Sequence, residues 1–123
     1  MKKKVLFFVG LFSILTTLSL SAQSINLKQG KYMCSLSNLQ IKLISISAAI
    51  TGNNTGGQVF LEEGSRSLGM GNYKVSGRKL ILEIGFATGS AAYLQGKTCV
   101  FTIKDSETFY AYDNEDEEWT LLY

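Results

Sequence analysis

The side chains that most often carry out enzyme chemistry are scarce in this protein. It contains no histidine, so serine–histidine and cysteine–histidine nucleophile pairs and histidine-ligated metal sites are excluded. Two carboxyl groups facing each other across a cleft could still hydrolyse a glycosidic bond. Most acidic residues, however, lie in stretches typical of turns, and Glu83 alternates outward from Leu82 and Ile84. We therefore predict that the protein is not an enzyme and that it uses no cofactor.

Acidic residues are concentrated near the end of the chain. Five of the ten acidic side chains lie in one short stretch, at Asp113, Glu115, Asp116, Glu117 and Glu118. A calcium-binding loop would need a glycine for its sharp bend and a frame of about 12 residues, and both are missing here. The stretch is therefore predicted to be a solvated hairpin turn without a metal site. A weak calcium site, or an acidic patch that binds a basic protein partner, is the alternative.

Aromatic residues gather in the second half of the chain. At alternating positions of strands they normally form the core and its cross-strand pairs, and we expect this of most of them. Tyr110 and Tyr112 share one face, opposite Phe109 and Ala111, so one of these two pairs should face solvent or a partner. Tyr110, Tyr112 and Trp119 are therefore candidates for a ligand-binding or partner-binding surface.

The first 22 residues have the three parts of a secretory signal peptide. Three lysines form a basic start, an apolar run of about 14 residues follows, and small residues end at Ala22. The run is shorter than the roughly 20 residues that span a bilayer. We therefore expect cleavage before Gln23, with a cut after Ser21 as the alternative. We also expect no membrane span in the mature protein and export to the periplasm or the medium.

The leader also accounts for the positive charge of the whole chain. The sequence has 12 basic and 10 acidic side chains, and three of the basic ones, Lys2, Lys3 and Lys4, precede the cleavage point. Nine basic residues then face ten acidic ones, and the net charge of +2 becomes −1. Because the basic excess belongs to the leader, we expect no nucleic-acid partner.

Two cysteines, Cys34 and Cys99, remain in the mature chain. A pair of cysteines without any histidine makes a zinc site improbable. In an oxidising compartment they are predicted to form a disulfide, which would stabilise a small domain by about 4 kcal/mol in the chain-entropy model. Two buried free thiols are the alternative.

Turn residues and alternating apolar positions predict a single all-β domain over residues 23–123. Seven or eight short strands are separated by turn residues. Ser76 and Gly77 should form a tight hairpin turn, and the segments 63–71 and 85–96 are predicted to be loops. We expect a meandering antiparallel sheet that closes into a small barrel, with the last strand beside the first. A β-sandwich is the alternative.

Parts of the mature chain are similar to lipocalin-like barrels. Gly30-Lys31-Tyr32 resembles the glycine-x-tryptophan start of the first strand in that family, with tyrosine in place of tryptophan. The segment 71–82 resembles the hairpin of small secreted bacterial lipocalin-like (calycin-type) domains, and the Ala22–Gln23 junction is similar to their leaders. The resemblance implies a barrel whose interior holds a small apolar molecule, and it implies no catalytic residue.

Together these observations predict an exported, non-enzymatic lipocalin-like domain that binds a small apolar ligand or a protein partner. The alternative is an inhibitor or immunity-type module that acts on an extracellular or periplasmic enzyme, and a structural accessory domain without a discrete site is a third reading. A hollow interior of a few hundred cubic ångströms with apolar walls would favour ligand binding. A filled interior beside an exposed aromatic face would favour the inhibitor.

Overall fold

The computed structural model describes residues 25–123, so the signal peptide predicted over residues 1–22 lies outside the described residues. Eight strands follow one another along the chain, and each pairs antiparallel with its neighbour in sequence. They are β1 (Gly30–Cys34), β2 (Gln40–Ile44), β3 (Gly56–Glu63), β4 (Arg66–Ser76), β5 (Lys79–Ala87), β6 (Thr98–Asp105), β7 (Thr108–Ala111) and β8 (Asn114–Leu121). A short helix, α1 (Ile46–Thr51), precedes β3, and a 3-10 helix (Gly89–Leu94) precedes β6.

The sheet closes on itself because β8 pairs with β1. Tyr32 lies opposite Leu121, and Cys34 lies opposite Trp119. Closure gives the first and last strands a partner and removes the exposed edges that an open sheet would present. The predicted all-β barrel, with its last strand beside the first, is therefore confirmed, and the sandwich alternative is wrong.

Strand alternation decides which side chains fill the barrel. In β1, Tyr32 and Cys34 are buried, whereas Met33 between them is exposed. In β8, Trp119 and Leu121 are buried and Thr120 between them is exposed. The resulting core is a single cluster that draws on all eight strands. None of the helices within residues 25–123 has the length and apolar character that a membrane crossing requires.

The predicted hairpin at Ser76-Gly77 is present. Gly77 has a φ of +61° in the turn between β4 and β5, a conformation that glycine adopts without steric cost. The predicted loops 63–71 and 85–96 are shorter in the structure, because β4 already begins at Arg66 and β5 continues to Ala87. The glycines that suggested a loop before Asn72 instead lie within β4, where they allow close approach to β5.

One end of the barrel is closed by buried polar side chains. Tyr32 donates its hydroxyl hydrogen bond to the Lys28 carbonyl at 2.6 Å. Ser45 caps α1 by accepting from the Ala48 amide at 3.0 Å, and its hydroxyl donates to the Gly56 carbonyl at 3.0 Å. These bonds satisfy polar groups that burial would otherwise leave unpaired. The opposite end of the barrel is built differently.

The predicted disulfide is wrong, because Cys34 and Cys99 are both free cysteines. Cys34 belongs to β1 and Cys99 to β6, and β7 and β8 separate these two strands around the barrel. A disulfide needs its two Cα atoms within roughly 7 Å of each other, whereas even directly adjacent strands are about 4.8 Å apart. The structure agrees with the alternative of free thiols, although only Cys34 is fully buried.

Candidate ligand-binding cavity

The end of the barrel away from α1 is hollow. A cavity of about 300 Å³ opens there, and its walls come from β2, β3, β5, β6, β7 and β8. The deeper walls are apolar, with Ile41, Leu61, Leu82 and Ile84 among them. The chain enters and leaves this end through the β1–β2, β3–β4, β5–β6 and β7–β8 connections. Three of those four connections contribute to the rim, through Leu39, Tyr93, Leu94, Tyr112 and Asp113.

Aromatic rings form one wall of the cavity and continue beneath it. Trp119 is buried, and its ring lies nearly parallel to that of Phe109, with 6.3 Å between centroids and 14° between planes. Phe101 meets Phe109 edge-on at 5.1 Å and Trp119 edge-on at 6.3 Å. Tyr32 extends this group toward the closed end, with its centroid 4.8 Å from that of Phe109. Such pairs favour offset and edge-to-face geometry, so they hold Trp119 in place at the cavity wall.

Two carboxyl groups also line the cavity. Glu117 lies in β8 two residues before Trp119, on the same face of the strand, and its Oε2 accepts a hydrogen bond from the indole Nε1 at 3.1 Å. Asp113 lies at the rim, in the turn before β8. Within the part of the chain that the structure describes, no lysine or arginine lines the cavity. The cavity therefore combines an apolar body with a negatively charged side.

Cys99 lines the cavity as a half-buried thiol. Burial raises the pKa of this thiol, and the neighbouring Glu117 carboxylate raises it further because it opposes a second negative charge. Thiol nucleophiles are activated in the opposite way, by groups that lower the pKa. Cys99 is therefore suited to contact a bound molecule as a small apolar group.

The three aromatic residues proposed from sequence do not form one surface. Tyr112 and Trp119 both line the cavity. Tyr110 does not, because Phe109 and Ala111 turn their side chains inward and leave Tyr110 on the outer side of β7. The ring of Tyr112 also lies close to a cation, because Lys79 Nζ is 5.1 Å from the centroid of that ring.

The acidic stretch is divided in the same way, and its prediction as a hairpin turn is correct for Asp113 and wrong for residues 114–118. The turn between β7 and β8 is confined to residues 112–113, and β8 begins at Asn114. Asp113 and Glu117 line the cavity, whereas Asp116 and Glu118 border a groove on the outer surface. Glu118 also forms a 3.5 Å ion pair with Lys104, and Glu115 is exposed. Within residues 25–123, no group of three or more acidic or cysteine side chains is placed to hold a metal ion.

Of the two residues that complete the rim, Tyr93 belongs to the aromatic group considered from the sequence, whereas Leu94 was not predicted. Tyr93 and Leu94 belong to the 3-10 helix, in a segment that was predicted to be a loop. Their sequence signal was the pair of large apolar side chains at the end of a run of glycine, serine and alanine. Two large apolar residues in a connection between strands indicate that the connection packs against something, here the mouth of the barrel.

Comparison with known proteins identifies no relative. No protein-family model matches the sequence, no curated protein matches it, and no solved structure matches it. The class of protein is therefore defined by the strand topology, an eight-stranded antiparallel barrel with a hollow end. This architecture is compatible with that of lipocalin-like barrels.

Proposed function

We propose that this protein is an exported, non-enzymatic binding protein of lipocalin-like type, which holds a small apolar ligand in the open end of its barrel. The observation that carries the proposal is the cavity of about 300 Å³ with mainly apolar walls. Barrel interiors of small domains are commonly filled by side chains. A hollow end with a few polar groups among apolar walls is the usual form of a small-molecule site.

The cavity limits the size of the ligand. A volume of about 300 Å³ has room for roughly ten non-hydrogen groups, because a water molecule occupies about 30 Å³ in the liquid. It lies at the lower end of the range for ligand pockets, which begins at about 300 Å³. The favoured ligand is therefore the size of a medium-chain alkyl compound or a single substituted aromatic ring.

Trp119 supplies a direct measurement of binding. It is the only tryptophan of the chain, and it lines the cavity, so a bound molecule will change its fluorescence. Titration with linear alcohols should give affinities that rise about fourfold per added methylene, from roughly 0.8 kcal/mol of transfer free energy each. The rise should stop once the chain exceeds about ten non-hydrogen atoms, where the cavity is full.

Two alanine-to-leucine variants locate the binding site. Ala111→Leu adds three carbons to the cavity wall, because Ala111 faces inward and lines it. Ala49→Leu adds the same atoms to an exposed position of α1, at the opposite end of the barrel. We expect octan-1-ol to bind the Ala49→Leu variant like the unmodified protein, and the Ala111→Leu variant at least tenfold more weakly. Equal affinities for the two variants, or no binding of any alcohol, would refute the proposed function.

A second candidate function is recognition of a protein, as an inhibitor or immunity-type module for an extracellular or periplasmic enzyme. It is supported by two large side chains at the mouth, Tyr93 and Tyr112, which are 68% and 64% exposed. Tyrosines of this kind are enriched in protein interfaces. Native mass spectrometry of protein isolated from its own host separates the two functions, since a bound small molecule supports the first and a stoichiometric protein supports the second.

A further inference from the structure

We propose that the ligand of this cavity carries a positive charge, as a small apolar amine whose ammonium group lies beside Glu117 and Asp113. This inference rests on the proposed function, because it specifies the class of molecule that the same cavity binds. It follows from the distribution of charge around the cavity and from the way in which Glu117 is held.

Glu117 is positioned toward the cavity by its strand and by its neighbour. It occupies the same face of β8 as Trp119 and Leu121, both of which are buried in the barrel. The hydrogen bond from the Trp119 indole engages Oε2 at 3.1 Å. A carboxylate has about four acceptor positions in its two oxygens, so Glu117 retains acceptor capacity for a donor inside the cavity.

The charges of Asp113 and Glu117 are not balanced by the protein itself. Of the ion pairs formed between residues 25 and 123, none involves either residue. Among residues 25–123, no basic side chain lines the cavity. Lys79 Nζ lies 5.1 Å from the centroid of the Tyr112 ring at the rim, and its charge opposes a bound cation. Glu117, which is partly buried, and Asp113, which is exposed at the rim, nevertheless line the cavity. A partly buried carboxylate favours an oppositely charged neighbour.

The remaining walls select an organic cation over a metal ion. Calcium takes six to eight oxygen ligands, whereas the described residues offer no group of three or more metal-ligating side chains in one place. Ile41, Leu61 and Leu82 instead provide apolar walls that a hydrated ion would not contact favourably. An ammonium group on an apolar chain fits both the apolar walls and the carboxylates of the cavity, because the chain contacts the aliphatic and aromatic walls. Its N–H groups form charge-assisted hydrogen bonds with the carboxylates.

Three probes of equal length test the inference. Octylamine, octan-1-ol and octanoate each have an eight-carbon chain and differ in the charge of their head group near neutral pH. Binding of each probe is followed by Trp119 fluorescence. Octylamine should bind about five to ten times more tightly than octan-1-ol, and octanoate should bind most weakly. Glu117→Gln should bring octylamine to within about twofold of octan-1-ol, because the amide keeps the size of the side chain and loses its negative charge.

Glu115→Gln is the matched control, because Glu115 lies in the same acidic stretch but is exposed and outside the cavity. It should leave the preference for octylamine intact, which separates contact with Glu117 from general attraction to an acidic surface. Asp113→Asn provides a second variant at the rim and should lower the preference without removing it.

The outcomes separate this inference from the proposed function. Equal binding of octylamine and octan-1-ol to the unmodified protein, or tighter binding of octanoate, overturns the cationic ligand and leaves the apolar-binding function intact. Failure of all three probes to bind overturns both. A preference for octylamine that survives in the Glu117→Gln variant but disappears in Glu115→Gln also overturns the inference, because the charge would then act from outside the cavity.

Discussion

The hydroxyl of Tyr73 donates a buried hydrogen bond to Asn54 Oδ1 at 2.8 Å. Asn54 in turn donates from Nδ2 to the Leu27 carbonyl, also at 2.8 Å. This chain of bonds joins β4, the segment before β3 and the segment before β1, and it lies at the end of the barrel opposite the cavity. The closed end thus depends on a satisfied polar network, whereas the open end has apolar walls and two carboxylates.

Removing the Tyr73 hydroxyl should destabilise the closed end. Tyr73→Phe leaves the buried Asn54 Oδ1 without its donor, so we expect the free energy of unfolding to fall by about 1–3 kcal/mol. Urea denaturation followed by circular dichroism measures this change. Tyr112→Phe is the matched control, because Tyr112 is 64% exposed at the mouth. A loss below about 0.5 kcal/mol for Tyr73→Phe, within the range of ordinary surface changes, would contradict the prediction.

Alkaline pH should destabilise the fold through the buried tyrosines. Burial raises the pKa of Tyr32 and of Tyr73 above the usual value of 10.0. Above that value the unfolded chain loses these protons before the folded protein does, so stability is complete below about pH 10 and falls as the pH rises further. Urea midpoints measured between about pH 8 and about pH 11 should show this decline, and the decline should be smaller in Tyr32→Phe. An equal decline in that variant would assign the effect to other groups.

Gly71 and Gly85 should respond oppositely to a methyl group. A Cβ on Gly71 would lie 2.0 Å from the Glu83 carbonyl oxygen, at the point where the β4–β5 register shifts. Gly71→Ala should therefore lower the free energy of unfolding by about 2–4 kcal/mol, since backbone must move. A Cβ on Gly85 would meet only ordinary contact, 3.9 Å from the Met70 carbonyl oxygen. Gly85→Ala should be neutral within about 0.5 kcal/mol, and equal losses would refute the close approach at Gly71.

Cys99 should report whether the cavity is occupied. In the free protein an aromatic disulfide reagent should modify Cys99 faster than Cys34, because Cys34 is 1% exposed and Cys99 is half-buried. The raised pKa of Cys99 predicts a slow reaction near neutral pH that accelerates as the pH rises. Saturation with octan-1-ol should slow the modification of Cys99. The rate of modification is measured from the release of the aromatic thiol. Cys99→Ser provides the background rate, and a rate that octan-1-ol leaves unchanged would place its binding elsewhere.

Local signals in the sequence predicted the fold well because they concern residues close together in the chain. Alternation identified Cys99, Phe101 and Ile103 as one face of a strand, and Phe101 and Ile103 are buried in β6. The glycine at position 77 located a hairpin, since a tight turn needs a positive φ at that site.

The same signals failed where a strand is polar. The segment 114–118 reads as a turn because four of its five side chains are charged, yet it begins β8. Its two ends pair with β7, Asn114 with Ala111 and Glu118 with Tyr110, and the register shifts between them. Strand preference depends on the cross-strand neighbour and the exposed face more than on the residue itself, and the neighbour was not visible in the sequence.

The sequence by itself determined that this chain forms a meander of antiparallel strands, because alternation and turn residues act over a few neighbouring positions. Only the tertiary structure decided that one end of the barrel is hollow, that Glu117 shares the cavity with Trp119, and that Cys34 and Cys99 are not bonded. Each of these depends on how eight strands close into a ring and on the side-chain volume that distant strands bring to one point. A pattern within one segment of the sequence cannot specify how strands that are distant in the chain are arranged around the barrel.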